Sequence, residues 1–318
     1  MDPTVGREVR GLLLNVCNDE QGDGNQGVRT MDGPVIVGTD GSAEAMDAVE
    51  WAALEADRWA RPLRIVHALR HAHVGGLRTA GWLPPGPVGD ARRIVAQAEE
   101  RAREVCPGLT VHVGVFDEAP VEYLVSASNS AGLVVVGGRG HGATAGLLLG
   151  SVSGAVAARA KCAVTVVRRH RRDEQGGVVV GLGRSTAFLE VLDYAFGEAR
   201  RRDRGVAVVH AWICPRTESA TAHTGQYDEA RDAHRRQAQQ WLDGTVAGAV
   251  ERHEGVPVRS YAVEGPAGDV LAEASREAGL LVIGGHSRHA GTAGQLKNVG
   301  HRVLHRAGCT VTIVPSKT

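Results

Sequence analysis

Residues 133–138 read Leu133-Val134-Val135-Val136-Gly137-Gly138, and residues 280–285 read Leu280-Leu281-Val282-Ile283-Gly284-Gly285. Unbroken Val, Leu and Ile without polar alternation suit a strand buried on both faces, as in a parallel sheet covered by helices. A glycine pair directly after such a run ends the strand and permits close approach of backbone at its carboxyl end. Further pairs appear on either side. Cys162-Ala163-Val164-Thr165-Val166-Val167 has its partner in Cys309-Thr310-Val311-Thr312-Ile313-Val314, at the same separation of 147 positions. Nearer the N-terminus the separation is 143: Pro34-Val35-Ile36-Val37-Gly38 faces Val178-Val179-Val180-Gly181, and Arg64-Ile65-Val66-His67-Ala68 faces Ala207-Val208-Val209-His210-Ala211. A period this long is duplication of a whole domain.

The expected organisation is a first domain over 31–169, a polar linker over 170–175 (His170-Arg171-Arg172-Asp173-Glu174-Gln175) and a second domain over 176–318. Residues 1–30 have no counterpart in the second copy and read as an artefactual or disordered extension, with a functional tail as the alternative; Met31 is itself a candidate start. Amphipathic stretches separate the apolar runs. Ala45, Ala48, Val49, Ala52, Ala56 and Trp59 recur at helical spacing, with Ser42 as N-cap and Glu44 at the positive end of the dipole. Further helices are expected from about Asp90 to Val105, from about Pro120 to Ser130 and from near Gly150. The predicted architecture is α/β: β-α-β-α-β-α-β-α-β, an open parallel sheet with helices on both faces, twice. Residues 74–89, rich in Gly and Pro, are expected to form a mobile loop at the ligand-binding edge.

Composition narrows the function. The 318 residues carry 36 Lys+Arg against 36 Asp+Glu, which argues against a nucleic-acid binder and against electrostatic attachment to a membrane. No uncharged apolar run reaches the roughly 18 residues of a span, and Gly11-Leu12-Leu13-Leu14 is too short for a signal peptide. Five cysteines without C-x-x-C spacing indicate neither a disulfide framework nor a zinc site, so a cytoplasmic location is expected.

Ligands on open α/β sheets sit at strand carboxyl ends. The first strand ends in Gly38-Thr39-Asp40-Gly41-Ser42. The fourth ends in Gly137-Gly138-Arg139-Gly140-His141-Gly142 and runs on to Gly150-Ser151-Val152-Ser153. Glycines let backbone N–H groups close around an anion, and a helix start adds free N–H groups and a favourable dipole. The spacing Gly137-x2-Gly140-x9-Gly150-Ser151 resembles the nucleotide signature of the universal stress protein family. The chain from 33 to 316 is similar to a tandem two-domain member. That resemblance implies two Rossmann-like five-stranded sheets of order 3-2-1-4-5 and binding of ATP, with or without Mg2+. It implies that Asp40 contacts the nucleoside, with Thr39 among the cofactor-binding residues, and that backbone at Ala68 reads adenine. Val136, Gly137, Arg139, Gly140, Gly150, Ser151, Val152 and Ser153 would complete the site. Ala163 stands where the family commonly has proline.

The second copy departs from this pattern. Gly183 and Arg184 replace Asp40 and Gly41, Ser287 replaces Gly140, and Lys297-Asn298 replaces Gly150-Ser151. It is expected to bind ATP weakly or not at all. Other candidates fit packing better. His67 and His210 occupy equivalent strand ends, and Cys162 and Cys309 read as small hydrophobes. His301 and His305, spaced i, i+4, share a helix face but show no third metal ligand. The Arg200-Arg201-Arg202 run with Arg204 reads as a solvated helix end. There is no P-loop, nucleophile elbow or H-E-x-x-H.

The expected function is a stress-response regulatory or binding module, with an adenine nucleotide in the first domain and an unidentified protein partner. The alternatives are a slow ATPase or autophosphorylating enzyme, for which no catalytic carboxylate is evident, and a scaffold indifferent to nucleotide. Pairing of the two copies as an intramolecular pseudo-dimer through their last strands, or a homodimer, is expected from the need to protect sheet edges.

Overall fold

The computed structural model describes residues 33–69, 85–140, 149–168, 176–184, 188–214, 224–285 and 298–316. The expected extension (1–30) and linker (170–175) lie outside these residues. The described residues fall into two units, 33–168 and 176–316.

In the first unit the elements run β1 (Val35–Gly38), α1 (Ala43–Arg58), β2 (Leu63–Ala68), α2 (Pro85–Val105), β3 (Val111–Phe116), α3 (Pro120–Ala127), β4 (Leu133–Gly137), α4 (Ser151–Arg159) and β5 (Ala163–Val167). All strand pairs are parallel and the order is β3-β2-β1-β4-β5. Every residue of β4 and β5 is buried, as the uninterrupted apolar runs require. Helices α1 and α2 lie side by side, as do α3 and α4. Ser42 caps α1 by accepting from the Ala45 N–H at 3.3 Å, and the helix buries Ala45, Ala48, Val49, Ala52 and Ala56.

The second unit repeats the plan with β6 (Val178–Gly181), α5 (Phe188–Arg202), β7 (Val206–Trp212), α6 (Thr224–Arg252), β8 (Val258–Glu264), α7 (Ala267–Ala274), β9 (Leu280–Gly284), α8 (Asn298–Arg306) and β10 (Thr310–Val314). Its order is β8-β7-β6-β9-β10, again parallel. Both sheets therefore carry the expected 3-2-1-4-5 order. The edge strand β8 is closed by a side chain. Gln239 of α6 accepts from the Ala262 N–H at 2.9 Å and donates to the Ser260 carbonyl at 3.3 Å, satisfying outward-facing backbone groups.

Three expectations need correction. Helix α2 begins at Pro85, so the last part of the expected 74–89 loop is helical; a proline in the first turn loses no intrahelical bond. Helix α3 stops at Ala127, where the Ser128 hydroxyl bonds back to the Val125 carbonyl at 2.6 Å and Asn129 to the Ser126 carbonyl at 2.9 Å. Finally, the arginine run ending α5 is not simply solvated. Glu198, fully buried, accepts from Arg201 at 2.7 Å and Arg202 at 3.2 Å. Glu55, its equivalent in α1, is also fully buried and accepts from Trp59 Nε1 at 2.9 Å and Arg58 at 3.3 Å.

The four described cysteines are buried thiols outside any disulfide. Burial pushes the Cys162 thiol up to about 12, so it stays protonated and inert at neutral pH.

Candidate functional site

Strands β1 and β4 are neighbours whose following helices go to opposite faces of the sheet. Their carboxyl ends therefore open a crevice at the topological switch point. The β1 side is a rigid turn. Gly41 sits at φ +81°, a conformation side chains disfavour. The Gly41 N–H donates to Thr39 Oγ1 at 3.2 Å. Asp40 Oδ1 accepts from the Ser42 N–H at 3.0 Å and the Ser42 hydroxyl at 2.6 Å. These two bonds anchor the carboxylate at Oδ1.

The β4 side meets it. A Cβ at Gly140 would collide with Asp40 Oδ2, so the second glycine of the loop packs directly on the carboxylate. Gly137 has a different reason: a Cβ there would lie 2.8 Å from the Glu44 carbonyl, so its bareness lets α1 pack against β4. The turn beyond is held by Gly138 N–H to the Val167 carbonyl at 3.0 Å and Gly150 N–H to the Gly138 carbonyl at 2.8 Å. These bonds bring Gly150, and with it the start of α4, back to the end of β4.

Gly150 caps α4 in extended conformation with no side-chain cap bond, and the first intrahelical donor is the Gly154 N–H, bonded to the Gly150 carbonyl at 3.1 Å. The N–H groups of Ser151, Val152 and Ser153 precede it, the amides a helix start offers to an anion. Ser151 is exposed at this end. Ser153 is buried and its hydroxyl donates to the Gly137 carbonyl at 2.6 Å; it fastens α4 to β4 rather than pointing a proton into the crevice. Arg139 is half exposed and pairs with Glu44 at 3.5 Å, a surface bond worth at most about 1 kcal/mol. An incoming anion can compete for this cation. Val136 is buried beneath the crevice. Ala68 ends β2, beyond His67, whose Nδ1–H donates to the Thr39 carbonyl at 2.8 Å. Residues 141–148, including His141, lie outside the described residues.

The second crevice keeps the frame and changes the contents. Gly285 N–H still bonds the Val314 carbonyl at 2.6 Å, and His210 Nδ1–H still bonds a strand-end carbonyl, that of Leu182, at 2.9 Å. Gly183 carries no carboxylate. In the first domain Gly41 packs under Ile94 of α2, a Cβ there lying 3.1 Å from the Ile94 side chain. In the second, Arg184 lies 4.8 Å above the Trp241 ring of α6, and Trp241 is 4.6 Å from the His210 ring. The Gly41–Ile94 contact has become an Arg–Trp–His stack over the ends of β6 and β7. Sequence reading missed both helix residues; the signal available was that Ile94 and Trp241 are equivalent and change in step with Gly41 and Arg184. Ser287 and Lys297 lie outside the described residues.

Burial lowers the His210 pKa below its usual value, with Arg184 adding to the effect against the opposing Leu182 bond. Unfolding therefore takes up a proton, and the neutral ring contributes stability above about pH 6.5 that is lost as pH falls toward the folded-state value. His210→Gln should flatten the melting temperature of the second domain between pH 7 and 5.5 relative to the unsubstituted chain. Identical pH profiles would contradict this account of the stack.

The profile described as the universal stress protein family matches residues 31–168 and again 177–315. A universal stress protein of Mycobacterium tuberculosis is 33% identical over 297 residues, covering 88% of this chain and 96% of its own. One of Mycolicibacterium smegmatis is 31% identical over 295 residues, with the same coverage. A crystal structure of a universal stress protein from Archaeoglobus fulgidus covers 89% of this chain and 96% of its own with a TM-score of 0.65 at 17% identity, a likeness of fold.

Proposed function

The chain belongs to the universal stress protein family as two tandem domains, and on that premise we propose that its first domain binds ATP and its second does not. The protein acts as a cytoplasmic, nucleotide-dependent regulatory module in the stress response. One observation carries the reading: Gly140 packs against the Asp40 carboxylate beside an uncapped α4 N-terminus. A hydroxyl acceptor and an anion cradle thus share one crevice, the two demands a nucleotide makes.

The parts fit the ligand. Asp40 Oδ1 is held by Ser42, so the carboxylate is pre-oriented to accept from ribose hydroxyls. The amides of Ser151, Val152 and Ser153 serve the phosphates, with the Ser151 hydroxyl beside them. A Cβ at Gly150 would touch Ser153 Oγ at 3.4 Å and the Gly138 carbonyl at 3.5 Å, so this residue packs the helix start closely against the end of β4. Arg139 is positioned to turn from Glu44 toward the terminal phosphate. Mg2+ would enter with the triphosphate, as it commonly does. In the second domain, the missing carboxylate and the Arg184–Trp241–His210 stack support the reading of an unoccupied crevice.

Titration of the full chain with ATP tests both halves of the proposal. One nucleotide per chain is expected, with Asp40→Ala weakening binding at least tenfold. Two equivalent sites would overturn the assignment of the second domain. Unaltered affinity in Asp40→Ala would overturn the site itself.

A further inference from the structure

On α8 in the second domain, His301 and His305 turn their rings toward each other. Their Nε2 atoms are 3.2 Å apart, and the ring centroids 4.3 Å apart with planes inclined by 41°. The pair is exposed. Two neutral imidazoles in this pose share a single proton between facing nitrogens, which leaves one lone pair directed at the other ring's N–H. The same pose admits a metal in place of that proton. At metal–nitrogen bonds of about 2.0–2.1 Å, nitrogens this far apart subtend roughly 100° at an ion between them, close to tetrahedral or octahedral requirements.

We propose that His301 and His305 form a two-imidazole site for a divalent first-row transition metal, of the class Cu2+, Ni2+ or Zn2+, with water completing the coordination. The neighbouring charges permit it. Arg302 and Arg306, the cations that follow each histidine, are both drawn to Asp269 of α7, at 2.9 and 2.7 Å. Their charge is answered away from the imidazoles. Among the described residues no group of three or more His, Cys, Asp or Glu is placed to hold a metal, so the site is bidentate and the ion exchangeable. Binding at i, i+4 also ties two successive turns of a nine-residue helix, too short to be stable alone. Metal therefore stabilises α8, the counterpart of the phosphate-binding α4, and gives the second domain a ligand of its own.

Titration of the full-length protein with Cu2+, Ni2+ and Zn2+ by calorimetry, alongside thermal melts, is the test. The expected affinity order is Cu2+ above Ni2+ and Zn2+. His301→Gln and His305→Gln should each weaken this site at least tenfold, while His234→Gln, at a lone exposed histidine, should not. The Cu2+ electron paramagnetic resonance spectrum of the unsubstituted protein should show two nitrogen ligands, a reading independent of any variant. Equal titrations for wild type and the His301→Gln/His305→Gln double variant, or a copper spectrum without two nitrogens, would overturn the proposal.

Discussion

Replacing Gly140 by alanine should abolish measurable nucleotide binding while the first domain remains folded. The new methyl group falls on Asp40 Oδ2. A carboxylate at the end of a free side chain would rotate away at little cost. This one is not free, because its other oxygen accepts from the Ser42 N–H and hydroxyl at 3.0 and 2.6 Å. Rotation breaks a pair of charge-assisted bonds, each contributing about 1.5–3 kcal/mol, and also removes the acceptor proposed for the ribose hydroxyls. Alternatively the loop 137–140 lifts, and the Gly150-to-Gly138 bond that brings back the start of α4 lengthens with it. Either response separates the carboxylate from the cradle. A loss of affinity of two orders of magnitude or more, about 2.7 kcal/mol, is expected in calorimetric titration with ATP. The far-ultraviolet dichroism should be unchanged, and the urea midpoint only modestly lowered. Gly140→Ala binding within threefold of wild type would show that Asp40 and the loop do not act together. Gly137→Ala offers a contrast: its methyl meets α1 backbone, so folding should suffer as well as binding.

The contact between Asp40 and Gly140 joins residues 100 positions apart, and its two ends were legible separately. Both belong to strand-end motifs, and the parallel topology makes strand ends neighbours. The strands were equally legible, because Val-rich runs without alternation have few other uses. The strand order was not in the periodicity; it came with the family signature. Three features escaped because a side chain's partner lies off its own motif. Ser153 was read as a ligand donor, yet its proton is used to hold α4 on β4. Glu55 and Glu198 were not singled out, though each carries a donor three and another four positions later, on the same helical face. Arg184 and Trp241 become informative only when the two domains are superposed position by position. Inside one copy, a tryptophan on a helix and an arginine in a turn carry no message.

Glu198 also carries the largest stability effect expected of a single change. Its carboxylate is fully buried, with Arg201 at 2.7 Å and Arg202 at 3.2 Å, and only 9% of the Arg202 side chain is exposed. Ion pairs of this kind are costly to assemble, so their net contribution is small, but removing one member takes a counter-charge away from a buried cation. Glu198→Ala should therefore destabilise the second domain by about 3–5 kcal/mol, read as a drop in the urea midpoint of its transition. Glu55→Ala makes the informative comparison. Its acceptors serve a neutral indole and Arg58, whose side chain is 27% exposed and can return to water. That substitution removes one acceptor from a part-buried indole N–H and should cost at most about 1–3 kcal/mol. If the two costs are equal, the buried charge on Arg202 is not the cause. Replacing Glu198 together with its more buried partner (Glu198→Leu with Arg202→Met) should then recover most of the loss, because apolar side chains remove the buried pair and Arg201, 22% exposed, can return to water. A double variant as unstable as Glu198→Ala would assign the effect to packing instead.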